Sequence, residues 1–353
     1  MPALRKSVIR GGLEALYFSG MHRAMRPFVA GVGAVLMLHH VRPARTAPFQ
    51  PNRLLEITPG FFEILLRRIK GSGVDVISLD AMYERLASND FSRRFVCITF
   101  DDGYRDVAQW AYPLLQKYEM PFALYIATSF PEQRGELWWT ALEAVIARND
   151  RIALTIEGRR HVLDCGSVEQ KRAAFDIAYA HLRSLKTEDE LRQVIRDLCA
   201  VHGIDIGSFC RDLCMDWDEI GRMARDPLVT IGAHTVNHVM LRKVPNDAVA
   251  RGEMEESCSA IEAVIGRRPA HLAYPVGDPT SAGPREFRIA AELGFKTAVT
   301  TRPGVLFPEH RHHLTALPRI SINGEFQERR YLDVLLSGAA TAVWNGFRRV
   351  SAA

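Results

Sequence analysis

Two short polar motifs contain the residue types that metal-assisted hydrolysis requires. Asp101 and Asp102 are adjacent, and His234 and His238 lie four residues apart. Adjacent carboxylates disfavour joint ionisation, and a divalent cation removes that conflict when one carboxylate binds it and the other stays free as a base. One Asp with two His leaves coordination positions open, which is typical of hydrolytic rather than structural metal sites. Such a site activates water and polarises a carbonyl group.

Short apolar runs that alternate with helical patterns predict the elements that must position these residues. Helices are predicted from Thr58-Pro59, over about 107–118 and over about 248–265. The alternation indicates parallel strands with crossover helices, an α/β fold, and seven or eight strands favour a barrel over an open sheet. The predicted strands are 34–41, 74–79, 95–100, 122–127, 229–231, 272–274, 297–300 and 317–322.

The candidate residues lie at or just past the carboxyl ends of four of these strands. They are His39 and His40 on the first strand, and the segments 101–104, 234–238 and 274–278 on later strands. In a barrel of parallel strands these ends meet on one rim, where such folds perform their chemistry. Asp-Asp-Gly by itself indicates a turn, and a single His-x-x-x-His pair is commonly coincidental. Their joint position on one predicted rim favours a site.

Three segments depart from the barrel pattern. Residues 131–223 are helical and charged, with weak strand signals near 152–156 and 161–163, and are predicted to be an insertion packed beside the barrel. The predicted organisation is an amphipathic segment at 1–30, the barrel at 31–325 and a C-terminal helix at 326–353. Both terminal segments are basic and amphipathic. They either pack on the domain or attach to an anionic membrane surface.

Composition narrows the classes of function. The 45 basic and 41 acidic residues give a net charge of +4, without a long basic run interleaved with aromatics, so nucleic acid is not an expected partner. The six cysteines lack the spacing of a disulfide framework, which favours reduced thiols. Charged residues interrupt every apolar stretch near the N-terminus, unlike a signal peptide. The predicted location is the cytoplasm, and the basic terminal segments extend this prediction to association with the inner face of the membrane.

The segment Thr99–Tyr104 (TFDDGY) and the pattern His234-Thr235-x-x-His238 resemble the first two motifs of the polysaccharide deacetylase (NodB-homology) family. The resemblance covers about 35–322, apart from the insertion. It implies a distorted β/α barrel that removes acetyl groups from N- or O-acetylated sugars with a divalent metal, often Zn²⁺. The first motif lies near residue 100 and no Leu-x-His follows the later strands. The chain is therefore similar to the circularly arranged branch that includes poly-N-acetylglucosamine deacetylases.

Carried over to this sequence, the resemblance makes Asp101 the general base. The metal ligands would be Asp102, His234 and His238. In the similar branch the opening strand supplies an acid histidine, which makes His39 the candidate and His40 the alternative. The phase of the strand decides between them, because successive side chains point to opposite faces.

The third family motif departs from its usual form. Ala273 stands where an arginine that supports the base is usual. Arg319 is a candidate to supply that charge, although a structural salt bridge explains it equally well. By analogy the backbone N–H near Val276 is the oxyanion donor, and Trp139 belongs either to a sugar platform or to the core. The predicted substrate contacts are Tyr104, Tyr274, Val276 and Trp139.

The predicted function is removal of an acetyl group from an N-acetylated sugar in a polysaccharide, a lipopolysaccharide or a lipid-linked glycan precursor of the cell envelope. The expected cofactor is a divalent metal, with Zn²⁺ first, and the expected partner is the acetylated glycan. The basic terminal segments suggest the membrane surface as a further, peripheral partner. The alternatives are a carbohydrate O-acetyl esterase with the same site and a non-catalytic scaffold for glycan assembly.

Overall fold

A computed structural model describes residues 3–350 and their arrangement around a parallel barrel. The strands are β1 Gly33–Leu38, β2 His40–Val41, β3 Glu56–Ile57, β4 Asp75–Val76, β5 Phe95–Phe100, β6 Phe122–Ile126, β7 Arg151–Ile156, β8 Arg159–Asp164, β9 Val229–Ala233, β10 His271–Ala273, β11 Thr297–Pro303 and β12 Leu317–Ser321. The helices are α1 Ala3–Phe18, α2 Met21–Val29, α3 Pro59–Lys70, α4 Leu79–Ser88, α5 Tyr112–Tyr118, α6 Trp138–Arg148, α7 Val168–Ser184, α8 Glu188–Val201, α9 Ser208–Leu213, α10 Trp217–Met223, α11 Asp247–Ile265, α12 Pro284–Glu292, α13 Arg329–Leu336 and α14 Ala339–Trp344.

Seven parallel strands close the barrel in the order β1-β12-β11-β10-β9-β6-β5, and β5 pairs back to β1. The pairing of β1 with β5 runs over the full length of both strands, from Gly33 opposite Phe95 to Leu38 opposite Phe100. The short strand β4 pairs with the first residues of β5 and adds an eighth strand to the sheet. The predicted α/β barrel is thus confirmed, with all seven carboxyl ends on one rim.

Strand side chains alternate between two apolar layers, as the period of two requires. Val35, Cys97 and Tyr125 belong to a cluster inside the barrel, together with residues of α4. Leu36 and Ile98 belong to the larger cluster between the strands and the surrounding helices. Because both faces of the strands are buried, most of their residues are apolar. Arg319 in the middle of β12 and Thr99 in β5 are buried polar exceptions.

Local sequence signals explain where the helix α3 begins. The Thr58 hydroxyl accepts a hydrogen bond from the N–H of Phe61, and Pro59 occupies the first helical position. Pro has no N–H to leave unsatisfied there, and the hydroxyl satisfies another free donor of the first turn. The predicted helix over 107–118 begins with a π-helical turn at Val107–Ala111 and continues as α5.

The predicted strand over 74–79 is wrong in length. Only Asp75–Val76 pairs, because Ser78 caps the next helix by accepting from the N–H of Ala81, and α4 begins at Leu79. The apolar residues that resembled a strand end are instead the first residues of a helix. Leu79 belongs to the cluster inside the barrel.

The segment predicted as an insertion contains five helices, α6 to α10, and one hairpin. The weak strand signals correspond to β7 and β8, which pair antiparallel around a turn at Glu157 and Gly158, both with positive φ. That two-residue turn suits the twist of a hairpin. Trp138 and Trp139 at the start of α6 are buried in the core that the segment shares with the barrel.

The terminal helices pack against each other. Leu13 of α1 lies in an apolar cluster with Phe326 and Tyr331, and the Tyr331 hydroxyl donates to Glu14. None of the helices in residues 3–350 combines the length and hydropathy needed to cross a bilayer. The predicted bounds 1–30, 31–325 and 326–353 remain a prediction.

Candidate active site

The register between β1 and β5 places His39 next to Asp101. Leu38 lies opposite Phe100, and the N–H of Asp101 donates to the Leu38 carbonyl at 3.0 Å. His39 Nε2 lies 3.9 Å from Asp101 Oδ2, and its side chain keeps 18% of its surface exposed. Burial lowers the pKa of His39, and the neighbouring Asp101 opposes that shift only in part. His39 therefore faces the predicted base from an adjacent strand.

Arg319 holds Asp101 from inside the barrel. Its Nη1 and Nη2 donate to the two carboxylate oxygens at 2.7 Å each, and its Nε donates to the Thr300 carbonyl at 2.9 Å. The guanidinium is fully buried, and two parallel charge-assisted bonds fix both the position and the ionisation of the carboxylate. Burial would raise the pKa of Asp101, but Arg319 outweighs burial and lowers it.

The three predicted metal ligands converge on one point of the rim. Oδ1 of Asp102 lies 3.4 Å from Nε2 of His234 and 3.2 Å from Nε2 of His238. All three side chains are buried, and one ligand atom from each lies within 4.8 Å of the others. Burial would raise the pKa of Asp102, but His238 and His234 outweigh it and hold that pKa well below its usual range.

Unusual backbone conformations bring these ligands together. Asp102, Thr235 and His238 all have positive φ, at 71°, 63° and 54°. The left-handed region is uncommon for residues other than glycine, and such conformations persist where the surrounding structure enforces them. The loop after β9 is held because the N–H of His234 donates to Ile126 and the N–H groups of Val236 and Asn237 donate to Glu253. The spacing of four between the histidines is therefore met by a loop.

The donor set fits a divalent metal. His234 Nδ1 lies 2.7 Å from the Ala273 carbonyl, so in the neutral ring Nδ1 carries the proton and Nε2 presents a lone pair to Asp102. Oδ1 of Asp102 is buried without a hydrogen-bond partner in the described part of the chain. Tetrahedral Zn²⁺ with bonds of about 2.0–2.1 Å separates its ligand atoms by roughly 3.4 Å. A single ion bound among these atoms would satisfy all three.

His40 points away from the metal ligands. Its Nδ1 lies 2.6 Å from Asp106 Oδ2, and its ring stacks on Tyr104 with centroids 3.5 Å apart. Asp106 also accepts from the N–H of Val41. The sequence left the phase of this strand open. The structure places His39 at the site and His40 against Tyr104, in the loop that follows β5. Asp106 was not predicted to have a role at the site. The sequence marks it only as an acidic residue five positions after Asp101.

Two predicted substrate contacts lie beside the ligands. Trp139 packs against the His238 ring with centroids 4.9 Å apart. Burial and the Asp102 charge hold the pKa of Tyr104 well above its usual range. Within residues 3–350, neither the Tyr104 hydroxyl nor the Trp139 indole N–H makes a well-formed hydrogen bond, although the two groups lie close to each other and the hydroxyl lies near Asp102. Buried donors without partners are rare, so both are candidates to bind a ligand or water.

Val276 has φ of 61°, which is an outlier for a β-branched residue. Its carbonyl accepts from the Thr301 hydroxyl, whereas its N–H has no acceptor among the described residues. Gly277 follows with φ of 64°, and a Cβ there would lie 2.7 Å from the Thr301 nitrogen. The close approach of Gly277 to Thr301 holds this turn in place directly after β10. The carbonyl of Ala273, the last residue of β10, contacts His234.

Tyr274 is not brought to the ligand set. Its ring packs on Phe287 of α12, and its hydroxyl donates to the Thr315 carbonyl at 2.8 Å. The residue is fully buried, with its polar end already paired. The geometry gives no support to the prediction that Tyr274 lines the pocket, because the strand phase directs its side chain into the apolar layer.

The barrel and its rim define a β/α-barrel hydrolase with an Asp-His-His set. The sequence model of the polysaccharide deacetylase family matches residues 88–298, more than half of the chain. The chain therefore belongs to the polysaccharide deacetylase family, and it is a hydrolase that removes acetyl groups from sugars. No curated protein sequence matches it.

Solved structures show the same fold at low sequence identity. The Streptococcus pyogenes deacetylase PplD has a TM-score of 0.55 at 20% identity, over 82% of this chain and 92% of that one. IcaB from Ammonifex degensii has a TM-score of 0.53 at 17% identity, over 88% and 97%. A de-N-acetylase from Aggregatibacter actinomycetemcomitans has a TM-score of 0.53 at 14% identity, over 83% and 96%. At these identities the similarity establishes the fold alone.

Proposed function

We propose that the protein is a metal-dependent N-deacetylase of a glycan, with Asp102, His234 and His238 as the metal ligands. The observation that carries this proposal is the buried ligand set beside a carboxylate, Asp101, that Arg319 holds ionised. A scaffold without catalysis needs neither a convergent ligand set nor a buried, charge-held carboxylate next to it. Zn²⁺ is the proposed metal because mixed imidazole and carboxylate donors suit a borderline cation.

The chain's own residues divide the chemistry of amide hydrolysis. A bound divalent metal would supply Lewis acidity toward water and the acetyl carbonyl. Asp101 accepts the proton of the attacking water, because Arg319 keeps it ionised and oriented. The N–H of Val276, which has no acceptor among the described residues, is the proposed donor to the developing oxyanion. His39, whose Nε2 lies 3.9 Å from Asp101 Oδ2, is the proposed donor of a proton to the departing nitrogen.

The sugar itself is proposed to lie against the insertion side of the rim. Trp139 gives an apolar face beside His238, and its indole N–H and the Tyr104 hydroxyl are donors that make no well-formed hydrogen bond within residues 3–350. A sugar presents both C–H faces and hydroxyl acceptors, which suits this combination. The proposed substrate class is an N-acetylated envelope glycan or its lipid-linked precursor, handled in the cytoplasm or at the inner face of the membrane.

Variants at two positions test the roles. Asp101→Asn should reduce turnover of an N-acetylglucosamine oligomer by roughly 10²–10⁴-fold while bound metal, measured by elemental analysis, is retained. His238→Ala should lose metal and activity together. His161→Ala, on the exposed hairpin strand β8, is the matched histidine control and should change neither. Near-normal turnover in Asp101→Asn would refute the assignment of the base.

Amide and ester substrates separate the N-deacetylase from an O-acetyl esterase with the same site. If the protein is an N-deacetylase, the purified enzyme should release acetate from N-acetyl oligosaccharides. Release of acetate from the matched O-acetyl esters, with none from the N-acetyl oligosaccharides, would support the esterase. Absence of release from both, with no metal bound, would support the scaffold.

A further inference from the structure

Helices from both ends of the chain form one continuous surface outside the site. We call the exposed side chains of α1, α2 and α14, together with Phe347–Arg349, the terminal-helix surface. The helices α2 and α14 touch closely, since a Cβ at Gly338 would lie 2.2 Å from the Val29 carbonyl oxygen. The two helices are therefore packed closely against each other.

The terminal-helix surface exposes unusually much apolar area. Among the described residues sixteen large hydrophobic side chains are exposed, and seven of them lie on this surface. Phe28 is 76% exposed and Phe347 is 64% exposed, and both line one cleft of about 230 Å³ with Arg348 and Arg349. Single exposed apolar residues are ordinary, whereas a concentration of them marks a site of interaction.

A basic cavity of about 340 Å³ adjoins the same helices. Four arginines line it, Arg23, Arg26, Arg68 and Arg94, and Asp333 is the one acidic residue in its lining. Asp333 pairs with Arg68, and Arg94 donates to the carbonyls of two residues between α2 and β1. The guanidinium groups of Arg23 and Arg26 have no hydrogen-bond or ion-pair partner in the described chain.

This cavity has uncompensated positive charge. Burial and the nearby Arg26 guanidinium lower the pKa of Arg94, so the two cations are close enough to repel. Arginine recognises phosphate groups through paired N–H donors, and the charges here remain available for such an anion. A second copy of the chain would bring like charges together, which disfavours it as the occupant.

We propose that the terminal-helix surface and the adjoining arginine cavity dock the protein on an anionic phospholipid bilayer. Phe28 and Phe347 enter the interfacial layer, and Arg23 and Arg26 contact headgroup phosphates. Exposed aromatics beside basic residues are the features that hold a helix in the plane of such an interface. The buried stripe of α1 around Leu13 does not take part, because it packs against Phe326 and Tyr331, so α1 contributes only exposed side chains such as Val8 and Phe18.

The proposed orientation turns the catalytic rim away from the bilayer. Helix α2 ends at Val29, just before β1 begins at Gly33, whereas His39 follows the other end of β1. The six residues of β1 separate these ends by roughly 20 Å. The docking surface and the rim are therefore distinct, and loss of docking should leave turnover of a soluble substrate unchanged.

Vesicle cosedimentation of the full chain tests the proposal. The protein should bind phosphatidylcholine vesicles that contain phosphatidylglycerol, bind vesicles of phosphatidylcholine alone much more weakly, and dissociate as salt rises. Arg23→Gln with Arg26→Gln should weaken binding by about 30-fold, and Phe28→Ser with Phe347→Ser by roughly tenfold or more. All four positions are exposed, so circular dichroism and acetate release from a soluble oligosaccharide should remain at the wild-type level.

Matched control variants carry the same substitutions elsewhere. Arg159→Gln with Arg160→Gln on β8, and Val201→Ser, which removes a side chain that is 80% exposed, should leave vesicle binding intact. An equal loss in these controls would overturn the proposal. Absence of binding to anionic vesicles would also overturn it, as would release of the protein from vesicles by inorganic phosphate at constant ionic strength. A third contrary outcome is a dimer in solution that the double variant Phe28→Ser with Phe347→Ser converts to monomers.

Discussion

Replacement of Arg319 by glutamine removes the charge that holds Asp101 ionised. The pair is buried and makes two bonds of 2.7 Å, so leaving the carboxylate without its partner should cost about 3–5 kcal/mol of unfolding free energy. The Thr300 carbonyl also loses the Nε donor. Urea unfolding at neutral pH measures this change.

The same substitution has a defined effect on the pH dependence of activity. Burial raises the pKa of Asp101 and Arg319 lowers it, so the pKa of the carboxyl should rise in Arg319→Gln. The acid limb of kcat/KM should therefore move to higher pH, with the loss at low pH approaching the 10²–10⁴-fold contribution of a general base. Because the native pKa is depressed, the stabilisation by the pair is present above the unfolded pKa of Asp101. It is lost as pH falls through the folded value.

Two further variants separate the effect on catalysis from a general loss of stability. Arg319→Lys keeps one charge and should recover part of the shift in the acid limb. Arg85→Gln breaks a partly buried ion pair with Asp75 at the other end of the barrel, and should lower stability without moving the limb. If Arg319→Gln is destabilised but keeps the wild-type acid limb, Arg319 does not control the ionisation of Asp101.

Three other outcomes are expected. Chelation should abolish activity and lower the thermal midpoint, and Zn²⁺ should restore both, since an ion that binds only the folded state stabilises it; an unchanged midpoint and activity after verified metal removal would contradict this. Gly277→Ala places a Cβ 2.7 Å from the Thr301 nitrogen at positive φ, so it should lose about 1–3 kcal/mol of stability and lower kcat by displacing the Val276 N–H; unchanged kcat in a variant that is destabilised as expected would exclude that N–H as oxyanion donor. Trp139→Phe keeps the apolar face beside His238 but removes the indole N–H, so KM should rise by roughly tenfold with metal content unchanged; an unaltered KM would place Trp139 in the core alone.

The sequence determined the parts of this protein that depend on local pattern. The strand Phe95–Phe100 was predicted with its observed bounds, and the cap at Thr58 and Pro59 begins α3 as expected. An apolar run buried on both faces and a turn after it are fixed by neighbouring residues, which is why these predictions succeeded. The prediction over 74–79 failed for the same kind of reason, because a capping serine competed with the strand pattern.

Tertiary structure decided which side chains meet. Whether His39 or His40 faces Asp101 depended on the phase of β1 against β5, and the choice of His39 followed from their register. The partner of Asp101 lies 218 residues away in sequence, and its guanidinium reaches the carboxylate only because β12 closes the barrel next to β1. Tyr274 was assigned to the pocket by analogy, but the strand phase turned it into the core. Residue types and motif spacing determine which residues can take part in the chemistry. Strand register and barrel closure determine which of their side chains come within contact distance of one another.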